Sequence, residues 1–263
     1  MNKAQWITIL LSVVLFATLY FGFSTVPGKH KDIEKQRALA AVSTDISALL
    51  MDAKSTLSPQ QSASVLALET ELNGAGTDSA KAECYKRLSS TWYSFEKPGI
   101  AGFYAEKTAE LAGSEEAWSI AGTTYSICLQ QGPSEKVKNY CAQKAVQCLE
   151  NAISINPGNP QHKLNLALVY AEDPPKDNPM KGILMLVELN KQFPENVPVL
   201  AQLGRLAIKT GQYEKAAQRL EQAISLDPGN QTANCLIVKA YEGLGNESKA
   251  AEFRSKCDKL SNR

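Results

Sequence analysis

Histidine is scarce in this chain: two imidazoles, at His30 and His162, serve 263 residues. Its six cysteines, Cys84, Cys128, Cys141, Cys148, Cys235 and Cys257, contain no C-x-x-C pair. Together these shortages remove the ligand spacings of zinc and haem sites, so no metal and no cofactor is expected. Charge of one sign is lacking as well: 28 Lys and Arg meet 27 Asp and Glu. A balanced chain without basic clusters interleaved with aromatics has no electrostatic footprint for nucleic acid. There is no Gly-x-Ser-x-Gly, no phosphate-binding loop and no His-Glu-x-x-His. The paired carboxylates Glu115-Glu116 open a helix, where acidic side chains favour the helix dipole. The chain therefore reads as non-enzymatic, without a small-molecule substrate. Nothing alternates with a two-residue period for long enough to form a sheet. An all-α protein is left, with 44% hydrophobic residues to supply a continuous core.

What is present is a repeat. Gly211, Tyr213, Ala216, Leu220, Ala223 and Pro228 fall at offsets that resemble a tetratricopeptide repeat, and Pro194 precedes Pro228 by 34 residues. The resemblance implies a right-handed α-solenoid of helix-turn-helix units, TPR-like, in which neighbours stack to bury faces that no unit covers alone. Within unit 197–230, Leu200, Leu203 and Gly204 hold the first-helix packing positions, while Ala207 stands where a Tyr is usual. Small residues at Gly204 and Ala216 let the helices approach, and Leu203 and Leu220 fill the seam. Unit 231–263 follows, with Tyr241, Gly245 and Ala250 in phase.

Upstream, unit 115–159 carries Trp118, Gly122 and Tyr125 on its first helix and Ala145, Leu149, Ala152 and Pro157 on its second. Its halves lie about 11 residues further apart than the standard unit allows, which reads as longer helices with Pro133 near a helix start. Unit 160–196 has Leu166, Ala167, Tyr170 and Gly182 in phase, and its proline-rich turn at 173–179 predicts a protruding loop. A more degenerate unit spans 81–114, through Leu88, Trp92, Ala101, Ala105 and Leu111. Residues 29–78 read as an N-terminal capping hairpin, its second helix opened by the capping box Ser58-Pro59-Gln60-Gln61. The solenoid proper is expected over 79–263.

Residues 1–28 read as a short tail and a transmembrane anchor. Trp6 to Phe23 is 18 residues without a charge, about 27 Å of helix and enough for a bilayer core. Trp6 at one end and Tyr20, Phe21 and Phe23 at the other resemble interfacial aromatic belts. A cleaved signal peptide fits less well, because Gly22-Phe23-Ser24-Thr25-Val26-Pro27 offers a poor cleavage site. Lys29-His30-Lys31 beside the anchor suits a lipid-headgroup contact. Orientation divides the arguments. Lys29, Lys31, Lys35 and Arg37 would keep the repeats cytoplasmic by the positive-inside rule. The whole layout instead resembles bacterial envelope proteins with one inner-membrane anchor and an exported repeat domain. The exported, periplasmic side is the reading adopted.

The resemblance also implies a concave wall built from first helices. Carried onto this chain, its positions include Ser119, Thr123 and Ser126, then Gln161, Leu164 and Leu168, then Ala201, Arg205 and Lys209, and last Cys235, Lys239 and Glu242. Such a wall is expected to hold a protein or peptide partner, with Arg205, Lys209 and Lys239 suited to an acidic or C-terminal carboxylate segment. A chaperone-tail clamp would need Lys and Asn where Ser119 and Thr123 stand, so that function is rejected. A scaffold or adaptor tethered in the cell envelope is the expected function. The alternative is a subunit of cytochrome c maturation or a similar assembly machinery. Cys148 and Cys235 read as core or half-buried residues. Cys128 ends one helix and Cys141 begins its partner, a placement in which the hairpin could bring them close; unpaired thiols are the favoured state, with a disulfide open to an exported domain.

Overall fold

The computed structural model describes residues 46–132 and 134–262, and the chain divides into two units, Met1–Asp52 and Ala53–Arg263. In the first unit the described residues 46–52 are helical. Trp6, Tyr20, Phe23 and the expected anchor lie outside the described residues, as does Pro133. Among the described residues no helix is long and apolar enough to cross a membrane.

The second unit is a run of helices. They are α1 (Pro59–Gly74), α2 (Asp78–Ser94), α3 (Pro98–Ala112), α4 (Glu115–Gln131), α5 (Glu135–Ile155) and α6 (Pro160–Glu172). After them come α7 (Lys181–Gln192), α8 (Val197–Lys209), α9 (Tyr213–Leu226), α10 (Gln231–Gly243) and α11 (Glu247–Ser261). No strand occurs among the described residues.

Local chemistry sets the boundaries. Ser58 caps α1 through the expected reciprocal pair with Gln61. Three units start alike: Pro157, Pro194 and Pro228 halt the previous helix, and two residues later Asn159, Asn196 and Asn230 cap α6, α8 and α10 with their side-chain oxygens. The turns inside the last two hairpins need a left-handed residue, and glycine supplies it at Gly211 (φ 71°) and Gly245 (φ 68°). Three prolines keep 173–180 out of helix between α6 and α7, and most of that loop is exposed.

Pairing follows sequence order: α2 with α3, α4 with α5, α6 with α7, α8 with α9, α10 with α11. Each second helix then packs on the first helix of the next pair. Close approach inside a pair depends on glycine. A Cβ on Gly204 would lie 2.6 Å from Leu220 Cγ, and one on Gly122 would lie 2.6 Å from Leu149 Cγ. Those partners sit 16 and 27 residues apart in sequence, so the 11 extra residues are absorbed by longer α4 and α5 while the seam contact is kept.

Hydroxyl chemistry closes the seams between units. Tyr125, Tyr170 and Tyr241 are buried as packing residues, as expected. Each also donates its phenol to a glutamate on the preceding unit's second helix. Tyr125 on α4 reaches Glu106 Oε2 of α3 at 2.7 Å, and Lys144 of α5 reaches the other oxygen at 2.6 Å. Tyr170 on α6 reaches Glu150 of α5 at 3.4 Å, with Lys181 Nζ of α7 3.8 Å above its ring. Tyr241 on α10 donates to Glu221 of α9, and Lys249 of α11 lies 2.8 Å from the phenol oxygen. A buried polar group satisfied in this way specifies how neighbouring units dock.

Candidate partner-binding wall

First helices stand side by side along the stack, α4 against α6 and α8 against α10. Ser119, Thr123 and Ser126 are spaced i, i+4, i+7 on α4 and half-buried. The hydroxyl protons of Thr123 and Ser126 are committed to the helix itself: Thr123 donates to Ser119 O at 2.9 Å and Ser126 to Gly122 O at 2.8 Å. What remains is lone pairs, so these side chains can accept a hydrogen bond from an arriving N–H. Across from them, Asn165 Oδ1 on α6 is occupied by Gln161 Nε2 at 2.9 Å. Thr123, Ser126, Gln130, Asn165, Leu168 and Glu172 line one cleft of about 70 Å³ between α4 and α6. The expected wall residues Thr123 and Leu168 thus meet in a single site.

Leu164 does not join them. It is buried among Ala167, Leu186, Leu189, Val199 and Leu203, which makes it core and removes it from any partner. Ala201 is likewise buried, against α10. The correction has a simple cause: α7 and α8 converge on that face of α6 and fill it.

At the other end Arg205, Lys209 and Lys239 are exposed, and none makes an ion pair with a described residue. Glu242 differs, being paired with Arg254 of α11. Seven residues earlier on α10, Cys235 is bonded to Cys257 of α11, a disulfide that the sequence reading missed when it made Cys235 a core or wall residue. Cys235 and Glu242 therefore bridge their own hairpin. Cys128 of α4 and Cys141 of α5 are also joined, with Cα atoms 5.9 Å apart, against the favoured expectation of free thiols. Cys84 and Cys148 stay free and buried. Burial pushes the Cys84 thiol up, with Glu71 adding to it, which makes it a poor nucleophile.

Glu115 opens α4 as expected and does more. Its carboxylate accepts from Asn159 at 3.4 Å and lies 3.5 Å from His162 Nε2, tying the start of α4 to the start of α6. Partial burial pushes its carboxyl up, but hydrogen bonds from Asn156, Asn159 and His162 outweigh that and hold it below the usual range. No group of three or more His, Cys, Asp or Glu placed to hold a metal occurs among the described residues.

A tetratricopeptide-repeat family model matches residues 207–253, from the end of α8 into α11. The chain resembles the solved structure of TTC0263, a thermophilic TPR protein of Thermus thermophilus, at 16% identity and a TM-score of 0.53, covering 69% of this chain and 92% of that one. A MamA fragment (41-end) from Desulfovibrio magneticus RS-1 aligns at 16% identity and a TM-score of 0.46, over 69% of this chain and 95% of that one. Cellulose synthase operon protein C of Pseudomonas fluorescens (strain SBW25) is 28% identical over 118 residues, which is 45% of this chain and 9% of that protein. The chain thus matches under a tenth of that relative's length. Residues 207–253 thus match the tetratricopeptide-repeat model, and the described residues of the second unit form an all-α, TPR-like solenoid.

Proposed function

We propose that the protein is a non-catalytic adaptor whose first-helix wall holds an extended segment of a protein partner. The carrying observation is the wall's division of labour. Hydroxyl lone pairs, an amide and Leu168 line the α4–α6 cleft, while three exposed cations without an ion pair to a described residue follow on α8 and α10. A peptide backbone suits the first part and an acidic stretch the second. The protein is tethered at the inner membrane by Trp6–Phe23, with the repeats on the exported side. Two features support that placement: the uncharged N-terminal segment, and two intra-hairpin disulfides of a kind that persists in oxidising compartments.

The test is co-purification from membranes in mild detergent, comparing the native chain with Arg205→Glu/Lys239→Glu. Charge-assisted hydrogen bonds contribute about 1.5–3 kcal/mol each, so losing two should reduce partner recovery by well over tenfold. Tm should stay within the range of exposed substitutions, about 0.5 kcal/mol of stability. Recovery of every partner by the double variant, at low and high salt alike, would remove the basic end from the binding site.

A further inference from the structure

We infer that the solenoid bends at one joint, between α7 and α8, and is held stiff on both sides of it. The Glu–Tyr–Lys contact described above recurs at three of the four junctions between successive units from 81 onward. At the fourth, the positions 34 residues before Glu221, Tyr241 and Lys249 are held by Val187, Ala207 and Lys215. The lysine is there, but the phenol and the carboxylate are not. Lys215 has turned instead to Gln212 Oε1 at 2.9 Å.

Independent observations coincide at the same place. The packing of α7 on α8 is sparser than that of α3 on α4, α5 on α6 or α9 on α10. Four buried side-chain polar atoms lack a hydrogen-bond partner among the described residues, and two of them flank this joint: Asn190 Oδ1 on α7 and Gln202 Oε1 on α8. Such groups cost free energy when closed in and recover it when water reaches them, which favours opening here over opening elsewhere. What holds the joint is mostly apolar, Val199 and Leu203 against Leu164, Leu186 and Leu189, with one exposed hydrogen bond across it from Gln222 Nε2 to Pro194 O at 3.2 Å. Apolar contact is non-directional and lets helices shift, whereas a Tyr–Glu hydrogen bond fixes one arrangement.

Each side of the joint carries one disulfide, Cys128–Cys141 before it and Cys235–Cys257 after it. Two stiffened blocks joined by a yielding seam are a hinge. Ser119, Thr123 and Leu168 belong to the first block; Arg205, Lys209 and Lys239 belong to the second. The bend therefore sets the spacing between the cleft and the cations. That consequence rests on the adaptor reading above, whereas the joint itself does not.

The test is pulsed electron-spin distance measurement on the full chain, with labels on non-cysteine unnatural residues so that both disulfides stay intact. Labels at Gln147 and Gln218 span the joint; labels at Lys86 and Gln147 lie within the first block, and all three residues are exposed. The cross-joint distribution should be about twofold broader or more than the in-block one, as a hinge requires. Val187→Glu/Ala207→Tyr supplies the missing partners for Lys215 and should narrow it to the in-block width. Equal widths in the native chain overturn the hinge, whether or not that variant folds. A broad distribution that the folded variant leaves unchanged overturns the missing contact as its cause. The converse variant, Glu221→Gln/Tyr241→Phe, should broaden a Gln218–Lys259 pair, and no change there overturns the stiffening role of the contact. Partner recovery plays no part in these readings, so failure of the hinge and failure of the adaptor reading are told apart.

Discussion

Gly204 and Leu220 show how much a single missing side chain controls. Any Cβ at Gly204 meets the Leu220 side chain at 2.6 Å, and Leu220 is fully buried with nowhere to go. Gly204→Leu should cost about 1–3 kcal/mol through overpacking, which for a domain of this size is a fall in Tm of several degrees. Gly76→Ala, where a Cβ would meet nothing within 4 Å, should leave the melting curve in place; equal effects would remove the close-approach account. Tyr125 sets a second limit, at high pH. Burial, then the neighbouring Tyr140 and Glu106, push its phenol well above its ordinary value of 10. The folded value lies above the unfolded one, so this contribution is complete below about pH 10 and is lost as pH rises through the folded value. Tyr125→Phe should therefore lower Tm near neutrality by removing the bond to buried Glu106, about 1–3 kcal/mol, and flatten the alkaline fall seen in the native chain. A parallel alkaline limb in the variant would assign that fall to other groups, Tyr104 first, which burial pushes up to about 12.

Helix by helix, most of the fold was legible because it rests on local rules. Asparagine caps two residues past a proline, glycines at positive φ and a 34-residue phase are statements about short stretches of chain, and the sequence carries them in full. The wall was only partly legible. Phase says which face of a helix a residue occupies, and it placed Thr123 and Leu168 in one cleft. It does not say what arrives at that face. Leu164 occupies a wall position in the repeat, yet α7 and α8 converge on it and make it core. Cys235 and Glu242 were read as wall residues, and α11 takes both into hairpin contacts because Cys257 and Arg254 stand opposite them. The tyrosines were recognised as packing residues, but their glutamate partners lie 19 or 20 residues upstream on another unit. That pairing could have been found by asking which acidic residue recurs at a fixed distance before each tyrosine.

For the whole molecule, the disulfides link structure to compartment. Both close hairpins at modest sequence separations, 13 and 22 residues, where loop-closure entropy is worth about 3 kcal/mol each. Reduction of the purified protein should therefore lower Tm substantially without abolishing the helices, since every hairpin also buries an apolar seam. The same bonds test where the repeats reside. A reducing cytosol keeps such pairs as thiols, whereas an exported domain oxidises them. Cells quenched in acid, denatured with an alkylating agent and analysed by mass spectrometry should yield alkylated Cys84 and Cys148, with Cys128, Cys141, Cys235 and Cys257 labelled only after reduction. If all six cysteines are labelled at once, the exported placement falls and the basic flank at Lys29, Lys31, Lys35 and Arg37 has set the orientation. The hinge would then rest on the tyrosine contacts alone, and both blocks should broaden under the spin-label measurement. Compartment and mechanics are in this way joined through four sulfur atoms.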